Sequence, residues 1–262
     1  MRQIITFFLE YPDGRIYSNR AEIAGWLAAF NEEWRARLAD REPEVLLCCA
    51  EAVHELGELP LVKALIKDAR GIETRRMGRE GLLYSASQGF FRLAGNESER
   101  YLNEVVHDKA LDDAQRKLAM WILSCCESPL AVPGVIDILI DVKESLKLRQ
   151  AAAHRLRFVT VSQSEMCRLR IAQRRQSFWR GDDGWIREFV LSVLWPDFIG
   201  FEEFLRILRI KGRDVDRIGS LVDDLYDSLA VKYKKSHAKH AMEYVVSSYR
   251  CDPRLPHPFA QR

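Results

Sequence analysis

The sequence feature that most constrains the fold is an apolar helical pattern that recurs about every 35 residues. If Leu56, Leu93, Leu123, Leu156 and Leu194 occupy equivalent positions, their separations are 37, 30, 33 and 38 residues. Repeats of this length are typical of units of two helices. One helical hairpin cannot bury its apolar face alone, whereas stacked hairpins share a continuous core. The spacing therefore predicts an all-α protein built from repeated hairpins.

The best-formed copy of the pattern lies at residues 182–209. An apolar helix ends at Leu194, and Trp195, Pro196 and Asp197 separate it from a second helix. Proline cannot continue a helix, an aromatic ring can plug a hairpin, and aspartate can cap the turn. We therefore expect these three residues to form the corner of this repeat.

Three of the predicted first helices share a more detailed pattern. An arginine is followed three residues later by alanine or valine, and four residues after that by leucine. The copies are Gln115-Arg116-x-x-Ala119-x-x-x-Leu123, Leu148-Arg149-x-x-Ala152-x-x-x-Leu156 and Ile186-Arg187-x-x-Val190-x-x-x-Leu194. This pattern is typical of the first helix of a HEAT repeat, which belongs to the α-solenoids. The sequence thus predicts a HEAT-like α-solenoid of about five to six helical hairpins. A non-repetitive helical bundle is the alternative.

The chain divides by pattern into three parts, residues 1–41, 42–250 and 251–262. The first is an N-terminal segment with a turn at residues 11–14 and a helix that starts after Asn19, with Glu22 completing a predicted capping box. Its apolar residues form one helical face: Ile23, Trp26, Leu27, Phe30 and Trp34. Residues 42–250 hold the HEAT-like repeats, and residues 251–262 are a Pro-rich tail.

The residues around the predicted corner also resemble a known family. Val193-Leu194-Trp195-Pro196-Asp197 and Phe201-Glu202-Glu203-Phe204-Leu205-x-x-Leu208 are similar to the helical-repeat region of large bacterial STAND NTPases, the NACHT-type proteins of anti-phage defence. The resemblance covers residues 110–230 and implies a region that senses a phage protein or holds the enzyme inactive. The chain has no G-x-x-x-x-G-K-[ST] stretch, so the resemblance implies no NTP site here.

Composition and cysteine usage favour a cytoplasmic protein. No uncharged apolar run approaches the roughly 18 residues that a membrane span requires. Four of the six cysteines form adjacent pairs, Cys48 with Cys49 and Cys125 with Cys126, and none has C-x-x-C spacing. Buried free thiols in a reducing compartment are the expected state.

Catalytic motifs are not found in the sequence. His54 and Glu55 resemble one His-Glu pair of the di-iron enzyme deoxyhypusine hydroxylase, which requires several such pairs. His237 and His240 stand beside lysines and are expected on a solvated face. The sequence therefore predicts a protein that is not an enzyme, with no catalytic residue, no cofactor and no metal.

Charge is unevenly distributed along the chain, although the net charge is only +2. Between residues 145 and 180 there are nine basic side chains and one acid, Glu165. The candidate contacts to nucleic acid or to an acidic partner are Arg168, Arg170, Arg174, Arg175, Trp179 and Arg180. The alternative is that these arginines lie over packing surfaces around two helices.

Two functions follow from these observations. The first is a non-catalytic protein-interaction or sensor module of helical repeats, part of a prokaryotic anti-phage defence system, with another protein as its partner. The second is a DNA- or RNA-binding HEAT-repeat protein that uses the basic segment at residues 145–180.

Overall fold

The computed structural model describes residues 9–76, 89–181, 184–194, 198–200, 203, 206 and 207. Helices hold 75% of the described residues and no strand occurs among them, which confirms the all-α class. Glu10 and Ile16 form one isolated antiparallel bridge around the predicted turn, where Gly14 N donates to Tyr11 O at 2.8 Å. The solenoid form stays a prediction.

The chain separates into two compact units, Met1–Glu165 and Met166–Arg262. The first unit contains helices α1 (Ala21–Phe30), α2 (Glu32–Arg41), α3 (Ala50–Leu56), α4 (Glu58–Lys67), α5 (Ala69–Arg76), α6 (Asn96–His107), α7 (Asp113–Cys125), α8 (Ala131–Ile140) and α9 (Leu146–Arg155). Its 3-10 helices are η1 (Ser18–Arg20), η2 (Pro43–Cys48), η3 (Phe90–Leu93) and η4 (Leu156–Phe158). Helix α10 (Gln163–Gln173) leads into the second unit, which continues with η5 (Gln176–Trp179) and α11 (Trp185–Leu194). The boundary near residue 165 falls inside the segment predicted to hold the repeats.

Helix α1 is buried through small residues and exposes large ones. Its buried positions are Ala21, Ala24, Gly25 and Ala28, which pack against α2, α3 and η2. The predicted capping box at Asn19 is wrong, because Arg20 occupies the cap position without a side-chain bond. Asn31 instead caps α2 by accepting from Trp34 N at 2.9 Å.

The apolar residues of α1 form one face, as expected, but that face lies on the surface. Ile23, Trp26 and Phe30 are 51%, 59% and 72% exposed, and we call these three residues the outer face of α1. Trp34 belongs to the next helix and is buried, with its Nε1 donating to Ala24 O at 3.0 Å. The carbonyls of an Ala-rich helix face can be approached closely because no long side chain covers them.

Helices α6 to α9 form two successive hairpins joined by connections of equal length, residues 108–112, 126–130 and 141–145. Helix α6 packs on α7 and α8, while α9 packs on α7 and α8. The bounds of α7 and α9 confirm the predicted first helices at 115–123 and 148–156. Pro133 lies in the first turn of α8, where a missing N–H costs no helical bond.

Two of the repeat arginines make the same bond one repeat apart. Arg116 Nε donates to Val106 O at 2.9 Å, and Arg149 Nε donates to Leu139 O at 3.1 Å. Donors and acceptors are both separated by 33 residues, the spacing of Leu123 and Leu156. The described residues contain three buried arginines, which are the three arginines of the sequence pattern: Arg116, Arg149 and Arg187.

The turns before α7 and α9 repeat as well. Asp108 accepts from the amide of Ala110 at 2.9 Å, and Asp141 accepts from that of Lys143 at the same distance. The cap of α7 is Asp112 and the cap of α9 is Ser145. The two hairpins therefore share these local bonds at a constant offset of 33 residues.

Candidate partner-binding sites

Residues 145–165 of the basic segment belong to the first unit and residues 166–180 belong to the second. The surroundings of its basic side chains differ between the two units. In the first unit Arg149 is buried against Leu139 O, and the Arg155 guanidinium lies 5.2 Å from the Trp121 ring centre and 5.4 Å from that of Phe158. Both arginines therefore serve packing. Because Arg149 is buried, it does not contribute to the basic surface that the sequence predicted.

In the second unit, the arginines of α10 lie on different sides of the helix, and Arg174 directly follows its last residue. Arg170 and Arg174 are one turn apart and both approach Glu203, at 4.0 and 3.1 Å. Arg168 is two residues before Arg170 and therefore projects about 200° away around the helix. These candidate residues do not form one continuous basic face on α10.

Glu203 is the centre of a polar cluster. Its Oε1 accepts from Gln173 Nε2 at 2.7 Å and from Arg174 Nε at 3.1 Å, and Arg206 lies 3.6 Å away. Burial alone would raise the pKa of Glu203, but hydrogen bonds from Arg174 and Gln173 and the charges of Arg174 and Arg170 lower it below its ordinary value. The carboxylate therefore stays ionised and offsets part of the positive charge.

Trp179 is placed in the core of the second unit. Its ring is 6% exposed, its Nε1 donates to Gln173 O at 2.8 Å, and Phe178 packs edge-on against it at 4.7 Å. In this position the indole cannot stack on a base. Arg175 and Arg180 are exposed, and no acid pairs with either of them within the described residues. The predicted corner residues Trp195, Pro196 and Asp197 lie outside the described residues.

A groove in the first unit was not anticipated from the sequence. It has a volume of about 630 Å³ and lies between α3, the first turn of α4, Arg92 of η3 and the first turn of α6. We call it the α3–α6 groove. Ala50, Val53, Leu59 and Pro60 supply its apolar lining. Its volume is within the usual range of ligand pockets, roughly 300–1,000 Å³.

Two glycines shape this groove. Gly57 ends α3 with a φ of +87°, a conformation that glycine adopts without strain. A Cβ on Gly95 would come within 2.0 Å of Glu58 Oε2, so only glycine lets the Glu58 carboxylate reach the start of α6. Negative charge is favourable there because the first N–H groups of a helix carry partial positive charge.

Acidic side chains dominate the charge that the groove offers to a ligand. Glu58 and Glu97 both line it, and the only lysine or arginine among its lining residues is Arg92. The Arg92 guanidinium donates to Leu47 O at 2.6 Å and lies 5.2 Å from the Phe91 ring centre. It is therefore committed to the protein, and the groove favours a cationic group beside an apolar one.

Thiols near the groove are held in the protonated form. Burial raises the pKa of Cys126 to about 12, helped by Cys125, Glu99 and Glu58, and burial raises that of Cys48 to about 11. A thiolate is the reactive form of cysteine, so these two residues are poor nucleophiles at neutral pH. The described cysteines are free, and Cys167 is exposed, which corrects the expectation that it is buried.

No metal cluster occurs among the described residues, where no three His, Cys, Asp or Glu side chains are arranged around a common point. Among the described helices, none is long and apolar enough to cross a bilayer. His237, His240 and Cys251 lie outside the described part of the chain.

No family model matches the chain, and comparisons with curated proteins and with solved structures found no match.

Proposed function

We propose that this chain is a protein-interaction module of helical repeats that binds a segment of its partner in the α3–α6 groove. The observation that carries the proposal is the groove itself, a cleft of about 630 Å³ in the first unit with an apolar floor and two acidic side chains. Concave sites with an apolar lining and a few polar groups are where proteins usually bind ligands.

The chemistry of the groove defines the segment that it would take. The side chains of Val53 and Pro60 offer apolar contact, while Glu58 and Glu97 offer negative charge. A segment with a lysine or arginine next to an aliphatic or aromatic residue satisfies both. Complementary charge mainly sets specificity and association rate, whereas the apolar contact supplies most of the affinity.

A protein partner is favoured over nucleic acid by the placement of the basic segment. Trp179 is buried, and Arg170 and Arg174 approach Glu203, so the side chains proposed to grip phosphate and base are partly used within the protein. Nucleic-acid binding needs unpaired basic side chains along one surface. Among the six candidate contact residues, Arg175 and Arg180 are the exposed arginines that no acid pairs with within the described residues.

The biological setting follows from the resemblance to the repeat region of NACHT-type STAND NTPases. In that setting the module senses a phage protein, and the α3–α6 groove contributes to its recognition. The stacked hairpins α6 to α9 support a repeat protein of this kind, and a continuous solenoid through residues 42–250 is part of the proposal.

Panning a random peptide library on the full-length protein tests the groove. We expect enriched peptides that pair a basic residue with a neighbouring apolar one, and a double variant Glu58→Lys and Glu97→Lys that no longer binds them. The matched control carries the same charge change at two exposed acids outside the groove, Asp40→Lys and Glu73→Lys, and should bind normally.

Enrichment of acidic peptides, or binding that the groove variant leaves intact, would contradict the proposal.

A salt titration with duplex DNA tests the alternative function, nucleic-acid binding. Binding that weakens steeply with salt and is lost when Arg175 and Arg180 are both changed to glutamate would favour the nucleic-acid alternative.

A further inference from the structure

Two acids from different helices lie at the same end of the α3–α6 groove. Glu58 belongs to the first turn of α4 and Glu97 to the first turn of α6, and both line the groove. Glu58 Oε2 reaches the start of α6, since it lies 2.0 Å from the place that a Cβ on Gly95 would take. Gly95 is two residues before Glu97. A cation bound at this end of the groove would therefore have a carboxylate on each of two walls.

These two carboxylates are available to a ligand. Both side chains are exposed, and no ion pair or side-chain hydrogen bond joins Glu58 or Glu97 to another of the described residues. By contrast, Glu99 in the same turn of α6 accepts from Ser128 Oγ at 2.6 Å. Arg92, the one arginine that lines the groove, donates to a backbone carbonyl instead. The groove thus offers two acids whose charge no described side chain neutralises by direct contact.

Carboxylates on separate walls favour arginine over lysine as the group that they bind. A guanidinium is planar and carries five N–H donors in a fixed fork, so it can bond two carboxylates at once, whereas an ammonium is a compact point charge. The guanidinium is also more weakly hydrated, so it loses less solvation beside the apolar side chains of Val53 and Pro60. Its aliphatic stem can lie along the same apolar floor.

We propose that the groove binds an arginine of the partner segment, with the guanidinium bridging Glu58 and Glu97. This inference rests on the function proposed for the groove, and it narrows the partner from a basic segment to one with arginine at a fixed place. The aliphatic or aromatic neighbour of that arginine packs on the apolar floor. Gly95 is a positioning residue in this arrangement, because it leaves the space that the Glu58 carboxylate occupies.

Binding of matched peptides to the full-length protein tests the proposal. The probes are the peptides that the library selection enriches, each made with arginine, lysine or citrulline at its basic position. Isothermal titration calorimetry gives each dissociation constant. We expect the arginine peptide to bind about tenfold more tightly than the lysine peptide. Citrulline keeps the shape of arginine without its charge, and its peptide should bind most weakly.

Three single variants show whether this preference comes from the two carboxylates. Glu58→Gln and Glu97→Gln should each reduce the ratio of arginine to lysine affinity to about twofold or less, because only one carboxylate remains. Gly95→Ala should do the same without removing a charge, since its Cβ displaces the Glu58 carboxylate. The φ of Gly95 is −80°, which alanine adopts without strain. The matched control Glu104→Gln changes an exposed acid of α6 outside the groove and should keep the wild-type ratio.

The outcomes separate this inference from the function on which it rests. Equal binding of the arginine and lysine peptides to the wild-type protein would overturn the inference alone, and this comparison needs no variant to fold. A ratio that Glu58→Gln and Glu97→Gln both leave unchanged would do the same. A selection that enriches no basic peptide, or binding that the double variant Glu58→Lys and Glu97→Lys leaves intact, would overturn the function of the groove as well.

Discussion

The N-terminal region from α1 to η2 and the repeat region from α6 to α9 bury their helices by different means. In the repeat region α7 buries Leu118, Ile122 and Leu123 along with Arg116. In the N-terminal region α1 buries alanines and a glycine, and the larger core residues come from α2 and η2. The same helical periodicity thus leads to a buried stripe in one region and an exposed stripe in the other.

This difference shows what a helical pattern does and does not specify. Periodicity identifies which residues share a face, but burial depends on which face meets a neighbour. Gly25 lies so close to η2 that an added Cβ would be 3.2 Å from Val45 O. Because α1 approaches its neighbours this closely, only its small residues fit inside, and the large apolar side chains are left outside.

The largest effect is expected from Arg116→Ala in the repeat region. The guanidinium bonds Val106 O and both oxygens of Glu144, at 2.9, 2.7 and 2.8 Å, and both side chains are nearly inaccessible. Removing one partner of a buried ion pair typically costs about 3–5 kcal/mol. Native-state hydrogen exchange of the α6–α9 amides measures this loss locally.

Arg100→Ala serves as the control because Arg100 is an exposed residue of α6, and we expect a change within about 0.5 kcal/mol. If Arg116→Ala proved equally mild, the repeated arginine bond would not stabilise the hairpins. The repeat region would then not differ from the N-terminal region in being stabilised by a buried arginine.

A smaller effect separates the two faces of α1. Gly25→Ala places a methyl group 3.0 Å from Cys49 Cβ, and overpacking of this kind costs about 1–3 kcal/mol. Trp26→Ala removes a much larger side chain but one that is mostly exposed, so we expect a change of about 0.5 kcal/mol or less.

Chemical unfolding followed by circular dichroism compares the two α1 variants. The reverse order, with Trp26→Ala more destabilising than Gly25→Ala, would mean that the outer face is covered within the chain.

The sequence was most informative where one residue type recurs with one role. The helices at 115–123 and 148–156 were predicted from the arginine pattern, and all three arginines of that pattern proved to be buried. The exposure of Trp26 and the burial of Trp179 were not predictable, because each depends on which neighbouring element packs on the helix rather than on local spacing.

The α3–α6 groove could not be found from the sequence for a related reason. The groove depends on two contacts between residues that are distant in the sequence. Arg92 donates to Leu47 O, which is 45 positions away, and the Glu58 carboxylate reaches Gly95. Contacts at such separations have no periodic signal. The only local hint was a pair of glycines at helix ends, and glycine is common at such positions.

The last effect concerns Glu144 and pH. A hydrogen bond from Arg116 lowers the pKa of Glu144 below its ordinary value of 4.5, outweighing the opposing effect of burial. A carboxyl group with a lowered pKa contributes stability that is present above its unfolded value and is lost as pH falls through its folded value. Glu144→Gln should therefore destabilise the α6–α9 region by about 1–3 kcal/mol at neutral pH, because the buried Arg116 guanidinium loses its ionised partner while the amide oxygen still accepts one bond.

The pH dependence tests the cause of this effect. As pH falls below the ordinary value of 4.5, the difference between wild type and Glu144→Gln should shrink, because the wild-type carboxyl is progressively neutralised like the amide. Glu104→Gln, at an exposed position of α6, should follow the wild-type curve throughout. A constant difference over this range would show that Glu144 acts through shape alone. The arginine-to-carbonyl bond belongs to both hairpins, since Arg116 Nε donates to Val106 O and Arg149 Nε donates to Leu139 O.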